Sequence, residues 1–189
     1  MKAVKRYLIQ PVLKFLIRKN LVTQPKVVDL EESQCIGYKI TTTFKDNQKK
    51  RDIPPFYHEV YDNDKLSALR QDNDDKMYCI FDFHENGQDF DYYVTVENKK
   101  SIGDENYAHV TLPPGRYVQV EFMKRNHGAA ALVVGYTKKI WIELNGYRER
   151  NCPIFILYDE RFHSNYRKYG CEGDNYLGDP LAVLHIPVE

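Results

Sequence analysis

Residues 77–97 read MYCIFDFHENGQDFDYYVTVE, two β-rich runs around the turn Glu85-Asn86-Gly87-Gln88. Asn-Gly supplies the positive φ values that a tight hairpin turn needs. In the return run Phe90, Tyr92, Val94 and Val96 fall on one face and Tyr93 and Thr95 on the other, because successive strand side chains point to opposite sides. The hairpin is therefore a sheet element with an apolar, aromatic face. Upstream, residues 27–43 (VVDLEESQCIGYKITTT) read as a strand interrupted at Gly37, as at a bulge or a close backbone approach. Residues 45–52 are a polar loop, and Asp52-Ile53-Pro54-Pro55 opens a helix with its prolines in the first turn. Phe56, Val60, Leu66 and Leu69 suit one buried face of it. Residues 71–75 are a charged turn. The order is strand, helix, strand, strand.

The same order recurs downstream. Residues 107–122 are strand, a Pro113-Pro114-Gly115 turn, and strand again. Residues 129–144 are helical, with Leu132, Tyr136, Ile140 and Leu144 as an i, i+4 stripe and Trp141 beside it. Asn145-Gly146 ends that helix. Residues 153–159 and 180–189 are the last strands, separated by a polar, Tyr/Gly-rich loop. Residues 98–106 link the halves, about 26–98 and 106–189. The expected class is α+β: duplicated strand-helix-strand-strand modules forming an antiparallel sheet with two main helices. A central groove is expected where the modules meet.

Composition sets limits. The chain has 189 residues, 42% apolar, with 27 basic and 27 acidic residues. That length suits one domain or two fused halves with a core that needs no disulfides. Zero formal net charge argues against direct nucleic-acid binding, which usually needs a basic face. Cys35, Cys79, Cys152 and Cys171 form no metal-ligand spacing. Cys35 and Cys79 fall in apolar strand patterns and read as reduced core residues, which fits a cytoplasmic protein with no signal peptide.

Residues 1–25 are a basic amphipathic segment with Val4, Leu8, Val12, Phe15 and Leu16 at helical spacing. Charges interrupt it, so it cannot span a bilayer. Pro11 breaks it or opens a second helix. Packing on the domain or on a second copy is the expected role. A membrane-surface helix and a contact for a protein partner are the alternatives.

At this point the residues resemble the GyrI-like small-molecule-binding domain, also the effector-binding domain of AraC-type and MerR-type regulators and related in fold to SOUL proteins. The resemblance covers about residues 26–189. It rests on Val28-x-Leu30, Ile36-Gly37-Tyr38, Ile53-Pro54, Phe90-x-Tyr92, Leu112-Pro113-x-Gly115-x-Tyr117-Val118, Trp141-Ile142 through Gly146-Tyr147, Phe155-x-x-Tyr158 and His185-Ile186-Pro187-Val188, in family order. It implies two SHS2-type modules and a central groove that binds hydrophobic, often cationic, molecules against aromatics and a buried glutamate. This chain departs from the pattern at Ile156, where the family motif Phe-Glu-x-Tyr carries the glutamate. A groove without that carboxylate should prefer neutral or less charged ligands, and family members that hydrolyse strained electrophiles rely on the same acid. A second departure is Thr95, where the family usually has glycine, and it would narrow the groove.

The expected ligand-binding set is Phe56, Phe83, Tyr92, Tyr117, Trp141, Tyr147, Ile156 and Tyr158. Aromatic rings supply apolar walls, and tyrosine hydroxyls supply hydrogen bonds. No catalytic residue, metal site or cofactor is expected. The six histidines are scattered singly, and none pairs with a cysteine or serine in a recognisable nucleophile arrangement; a haem-ligand role, as in SOUL proteins, ranks far below a structural one. The acidic run 72–75 lacks calcium-loop spacing. The expected function is capture of a hydrophobic or amphipathic small molecule by a stand-alone effector-binding or sequestering protein. The alternatives are a gyrase-inhibitor-like interaction module and a hydrolase of reactive electrophiles.

Overall fold

A computed structural model describes residues 11, 14–19, 21–70, 76–99, 102–122, 127–160, 162–163 and 182–189. The strands are β1 (Lys26–Leu30), β2 (Ser33–Thr43), β3 (Met77–Phe83), β4 (Asp89–Glu97), β5 (Ala108–Leu112), β6 (Gly115–Phe122), β7 (Ile154–Tyr158) and β8 (Ala182–Pro187). The helices are α1 (Lys49–Tyr61) and α2 (His127–Tyr136), the latter continuing through a π turn (Thr137–Trp141) into α3 (Ile142–Leu144). The strand pairings are antiparallel. The class is α+β, with two modules of the same element order, as the sequence led us to expect.

The chain forms two compact units. One comprises Met1–Leu30, Gly115–Asn151 and Arg161–Glu189; the other comprises Glu31–Pro114 and Cys152–Glu160. In the first, β6 is flanked by β1 and β8. In the second, the strand order is β7-β3-β4-β2-β5, with α1 packed on β2 and β4.

These pairings correct the reading of 27–43 as one strand broken at Gly37. The break falls at residues 31–32, because the chain changes partner there: β1 pairs with β6, and β2 with β4 and β5. The turn at 113–115 is the equivalent change, since β5 pairs with β2 and β6 with β1 and β8. Gly37 instead lies mid-strand opposite Thr95. A Cβ there would stand 2.3 Å from the Val94 carbonyl oxygen and 2.8 Å from Thr95 Cα. The glycine permits a close backbone approach, one of the two uses glycine has inside a strand.

α1 begins at Lys49, earlier than Asp52, so Pro54 and Pro55 lie beyond its first turn. Neither proline can donate a helical hydrogen bond. The turn ahead of them is held by the Arg51 and Asp52 amides, which donate to the Gln48 carbonyl. It is tied to the sheet by the Thr42 hydroxyl, which donates to Asp52 Oδ2 at 2.6 Å.

The i, i+4 stripe of the second helix also needs correction. Tyr136 and Ile140 are buried, but Leu144 is 53% exposed and Ile142 is buried in its stead. A π turn accommodates more residues per turn than an α-helix, so the stripe rotates after it.

In the N-terminal region, residues 14–18 are helical; Leu16 is buried and Phe15 exposed. Val22 is buried and bridges to Phe122. The Thr23 amide donates to the Glu121 carbonyl, and the Glu121 amide donates to Thr23 Oγ1. This part of the segment packs on its own unit. Val4, Leu8 and Val12 lie outside the described residues, as do residues 71–75, Cys171 and nearly all of the loop before β8. Among the described residues no helix is long and apolar enough to cross a membrane.

Candidate ligand-binding site

Strand alternation builds an aromatic face in the unit that carries α1. Phe90 and Tyr92 of β4 stand opposite Phe83 and Phe81 of β3. Cys79 stands opposite Val94 on one side and Ile156 on the other, and Met77 opposite Tyr158. These residues share one side of the sheet. Phe56 of α1 meets the Tyr92 ring edge-on at 6.1 Å, and Phe81 lies 5.1 Å from the same ring. Tyr57 and Tyr61 stack at 5.4 Å on α1, and Tyr57 lies close enough to Tyr92 to perturb it. Each such aromatic contact adds about 0.5–1.5 kcal/mol beyond area burial.

Three of the sequence-expected residues, Tyr92, Ile156 and Tyr158, therefore lie around Cys79, and a fourth, Phe56, joins them through the Tyr92 ring. Their exposures differ in an informative way. Cys79, Tyr92 and Val94 are buried, whereas Ile156 and Tyr158, on the neighbouring strand, remain half-buried. Phe83 sits farther along the same face in a second cluster. There it stacks with Phe44 at 6.0 Å and tilts against Phe90 at 5.6 Å, and Lys49 Nζ caps the Phe44 ring at 4.0 Å.

Around Cys79 the ionisable side chains are neutral. Burial pushes the Cys79 thiol up to about 12, although the Tyr92 hydroxyl hydrogen-bonds to it. Burial pushes the Tyr92 and Tyr158 hydroxyls well above the ordinary phenol range, and the adjacent Cys79 reinforces both. All three stay protonated at physiological pH. Position 156 on β7 carries isoleucine where the family motif has glutamate. Among the described residues no group of three His, Cys, Asp or Glu side chains could hold a metal ion.

Thr95 does not narrow this face. It points to the opposite side of β4, where its Oγ1 donates to the Tyr78 carbonyl at 3.2 Å and its methyl fills the space left by Gly37. On that same side Asp91 receives Lys39 Nζ at 2.8 Å and the Thr41 hydroxyl at 2.6 Å, with Asp82 directly opposite.

The remaining three expected residues lie in the other unit. Trp141 and Tyr147 stack nearly parallel at 6.3 Å, and the Arg116 guanidinium lies over Tyr147 at 5.6 Å. Tyr117, next to Arg116 on β6, points to the opposite side of the strand; it is wholly buried beneath Arg150 at 5.4 Å. The structure thus separates Tyr117 from the Trp141–Tyr147 pair.

Sequence reasoning missed Cys79, Tyr57, Tyr61, Phe81 and Phe44. Cys79 and Phe81 were available from alternation, since they share parity with Phe83. The α1 tyrosines follow Phe56 directly and at i, i+5, a spacing that does not mark one face.

The sequence profile described as Cass2, integron-associated effector binding protein, matches residues 26–178. No curated protein matches the chain. Among solved structures, SAV2435 bound to tetraphenylphosphonium is similar over 88% of this chain and 94% of that one, at 16% identity and a TM-score of 0.65. The integron cassette protein VCH_CASS2 from the mobile metagenome of Vibrio cholerae is similar over 89% of this chain and 97% of its own, at 11% identity and a TM-score of 0.54. The C-terminal domain of EcmrR is similar over 88% and 97%, at 14% identity and a TM-score of 0.53. At these identities the structural likeness speaks to the fold, which agrees with the GyrI-like resemblance read from the residues. With the profile spanning most of its length, the chain belongs to the Cass2 family of integron-associated effector binding proteins.

Proposed function

We propose that this protein reversibly binds a hydrophobic or amphipathic small molecule on the aromatic face beneath α1, sequestering it or signalling its presence to a partner. One observation supports this above the rest. The Ile156 and Tyr158 side chains keep some exposed surface, although the Tyr158 hydroxyl itself is buried, while Cys79 and Tyr92 beside them are buried. A strand in a filled core would bury its inward side chains fully, so this stretch of β7 is where a ligand's apolar surface would be accommodated. Phe56, Tyr92 and Tyr158 supply the walls, Ile156 the floor, and Phe83 extends the face. The tetraphenylphosphonium held by SAV2435, a protein of the same fold, supports a bulky aromatic ligand.

The test is a thermal-shift series with tetraphenylphosphonium and uncharged triaryl compounds. A ligand at a hundred times its dissociation constant stabilises the native state by about 2.7 kcal/mol. At least one compound should raise the melting temperature, and Ile156→Arg should abolish the rise. No rise with any compound, or a rise untouched by Ile156→Arg, would refute the reading.

A further inference from the structure

The aromatic face does not end at Tyr92. Successive ring contacts carry it along β3 and β4: Tyr92 to Phe81 at 5.1 Å, Phe81 to Phe90 at 6.0 Å, and Phe90 to Phe44 at 5.0 Å. Phe44 lies just beyond β2, stacks on Phe83 at 6.0 Å and is 42% exposed. Phe81 and Phe83 keep some exposed surface too, whereas Phe90 beside them is wholly buried. The track closes on a cation, because Lys49 Nζ stands 4.0 Å from the Phe44 ring centroid. From the level of Cys79 and Ile156 to that of Phe83 is four residues of β3, about 13 Å at about 3.3 Å per residue. Among the described residues no carboxylate pairs with Lys49. Asp52, one turn on, instead receives the Thr42 hydroxyl at 2.6 Å, and Asp89 receives the Asn86 amide at 2.8 Å. Lys45, Lys50 and Arg51 stand exposed in the same stretch. Burial and the Lys50 charge both lower the Lys49 pKa, so this ammonium is partly desolvated beside a like charge.

We propose that the face takes elongated amphipathic anions: an aromatic or other apolar body lies along Ile156, Phe81 and Phe83, and its anionic head pairs with Lys49. The proposal rests on the binding face proposed above and names its ligand class. An anionic head at Lys49 offsets the repulsion from Lys50 and replaces hydration that burial has taken from the ammonium, through a charge-assisted contact. A lipophilic cation fares worse at both ends of the track. It meets Lys49 and Lys50 as like charges at one end, and isoleucine rather than a carboxylate at position 156 at the other. A neutral ligand of the same shape keeps the ring contacts and forgoes the ion pair.

Titration calorimetry compares three probes of one shape: biphenyl-4-carboxylate, biphenyl-4-carboxamide and biphenyl-4-ylmethylammonium. It uses the full chain and its Lys49→Met and Lys49→Arg variants, with folding of each checked by its melting transition. The carboxylate should bind most tightly, and added salt should weaken it more than the carboxamide. Lys49→Met keeps an unbranched stem against Phe44 and removes the charge. It should weaken the carboxylate about threefold to tenfold more than it weakens the carboxamide. Lys49→Arg, which keeps the charge, should hold the carboxylate within about threefold of the wild type. If the ammonium probe binds most tightly, or if Lys49→Met weakens carboxylate and carboxamide alike or neither of them, the anionic class is refuted while small-molecule binding stands. If none of the three binds, the anionic class is refuted, and the thermal-shift series with triaryl compounds decides separately whether the face binds a ligand.

Discussion

Acid should destabilise this protein through one histidine. His185 lies on β8 opposite Gln119, is 3% exposed, and sits edge-on to Tyr117 at 6.4 Å. Burial lowers its pKa from 6.5 to about 4; the Lys26 charge adds to the fall, and a hydrogen bond with the Val183 backbone opposes it. In the unfolded chain the ring titrates near its ordinary value, about 6.5. Between those two values the unfolded state binds the extra proton, so stability is full above about pH 6.5 and falls as the pH drops toward 4. The gap, at about 1.36 kcal/mol per pH unit, amounts to about 3 kcal/mol. That is a large share of the 5–15 kcal/mol typical of a folded domain. His185→Gln keeps a polar side chain of similar reach but cannot titrate. Urea denaturation of both proteins at pH 7.5 and 4.5 isolates the histidine from the carboxylates, which titrate alike in both. The wild type should lose about 2.5 kcal/mol more than the variant over that interval. Parallel losses, within about 0.5 kcal/mol, would refute the assignment of the acid response to this buried ring.

Three further outcomes are expected. Gly37→Ala places a methyl 2.3 Å from the Val94 carbonyl oxygen, which is backbone and cannot swing aside; denaturation should show a loss of about 2 kcal/mol or more, and a loss under about 0.5 kcal/mol would contradict the close approach of β2 to β4. Asp82 is raised by burial first and by Asp91 second, so Asp91→Asn should lower the Asp82 titration midpoint seen by carboxyl NMR; an unchanged midpoint would mean the two carboxylates do not interact. Ile156→Glu should add affinity for tetraphenylphosphonium that grows as the pH rises, because the burial that raises Cys79 also favours a protonated carboxyl, and only the ionised form attracts the cation; a pH-independent affinity would count against a desolvated site.

The sequence carried the element order, and the physics behind that was local. Gly87 gave the hairpin turn its positive φ, while Asn86 has none and instead accepts from the Gln88 and Asp89 amides; strand alternation put Phe90, Tyr92, Val94 and Val96 on one face, as the register of β4 on β3 has it. Ile156 stood out only through the family resemblance, whose strand motif carries glutamate at that position; on its own it reads as an ordinary strand residue. Partner choice was not legible. A run such as 27–43 satisfies β-propensity along its whole length, and nothing local says that residues 26–30 will bond to β6 while residues 33–43 bond to β4 and β5. The same non-local choice divided the expected site. Phe56, Tyr92, Ile156 and Tyr158 met because β7 pairs with β3 across 75 or so intervening residues, whereas Tyr117 parted from Trp141 and Tyr147 because its strand alternation turned it the other way. Cys79 gained its place for that reason too. Its residue type suggested only a small buried apolar group; the pairing of β3 between β4 and β7 set it against both Tyr92 and Ile156. Local propensity and periodicity decide which residues form strands and which side they show, while long-range strand pairing, whose hydrogen bonds are the same for every sequence, decides which of those sides come together.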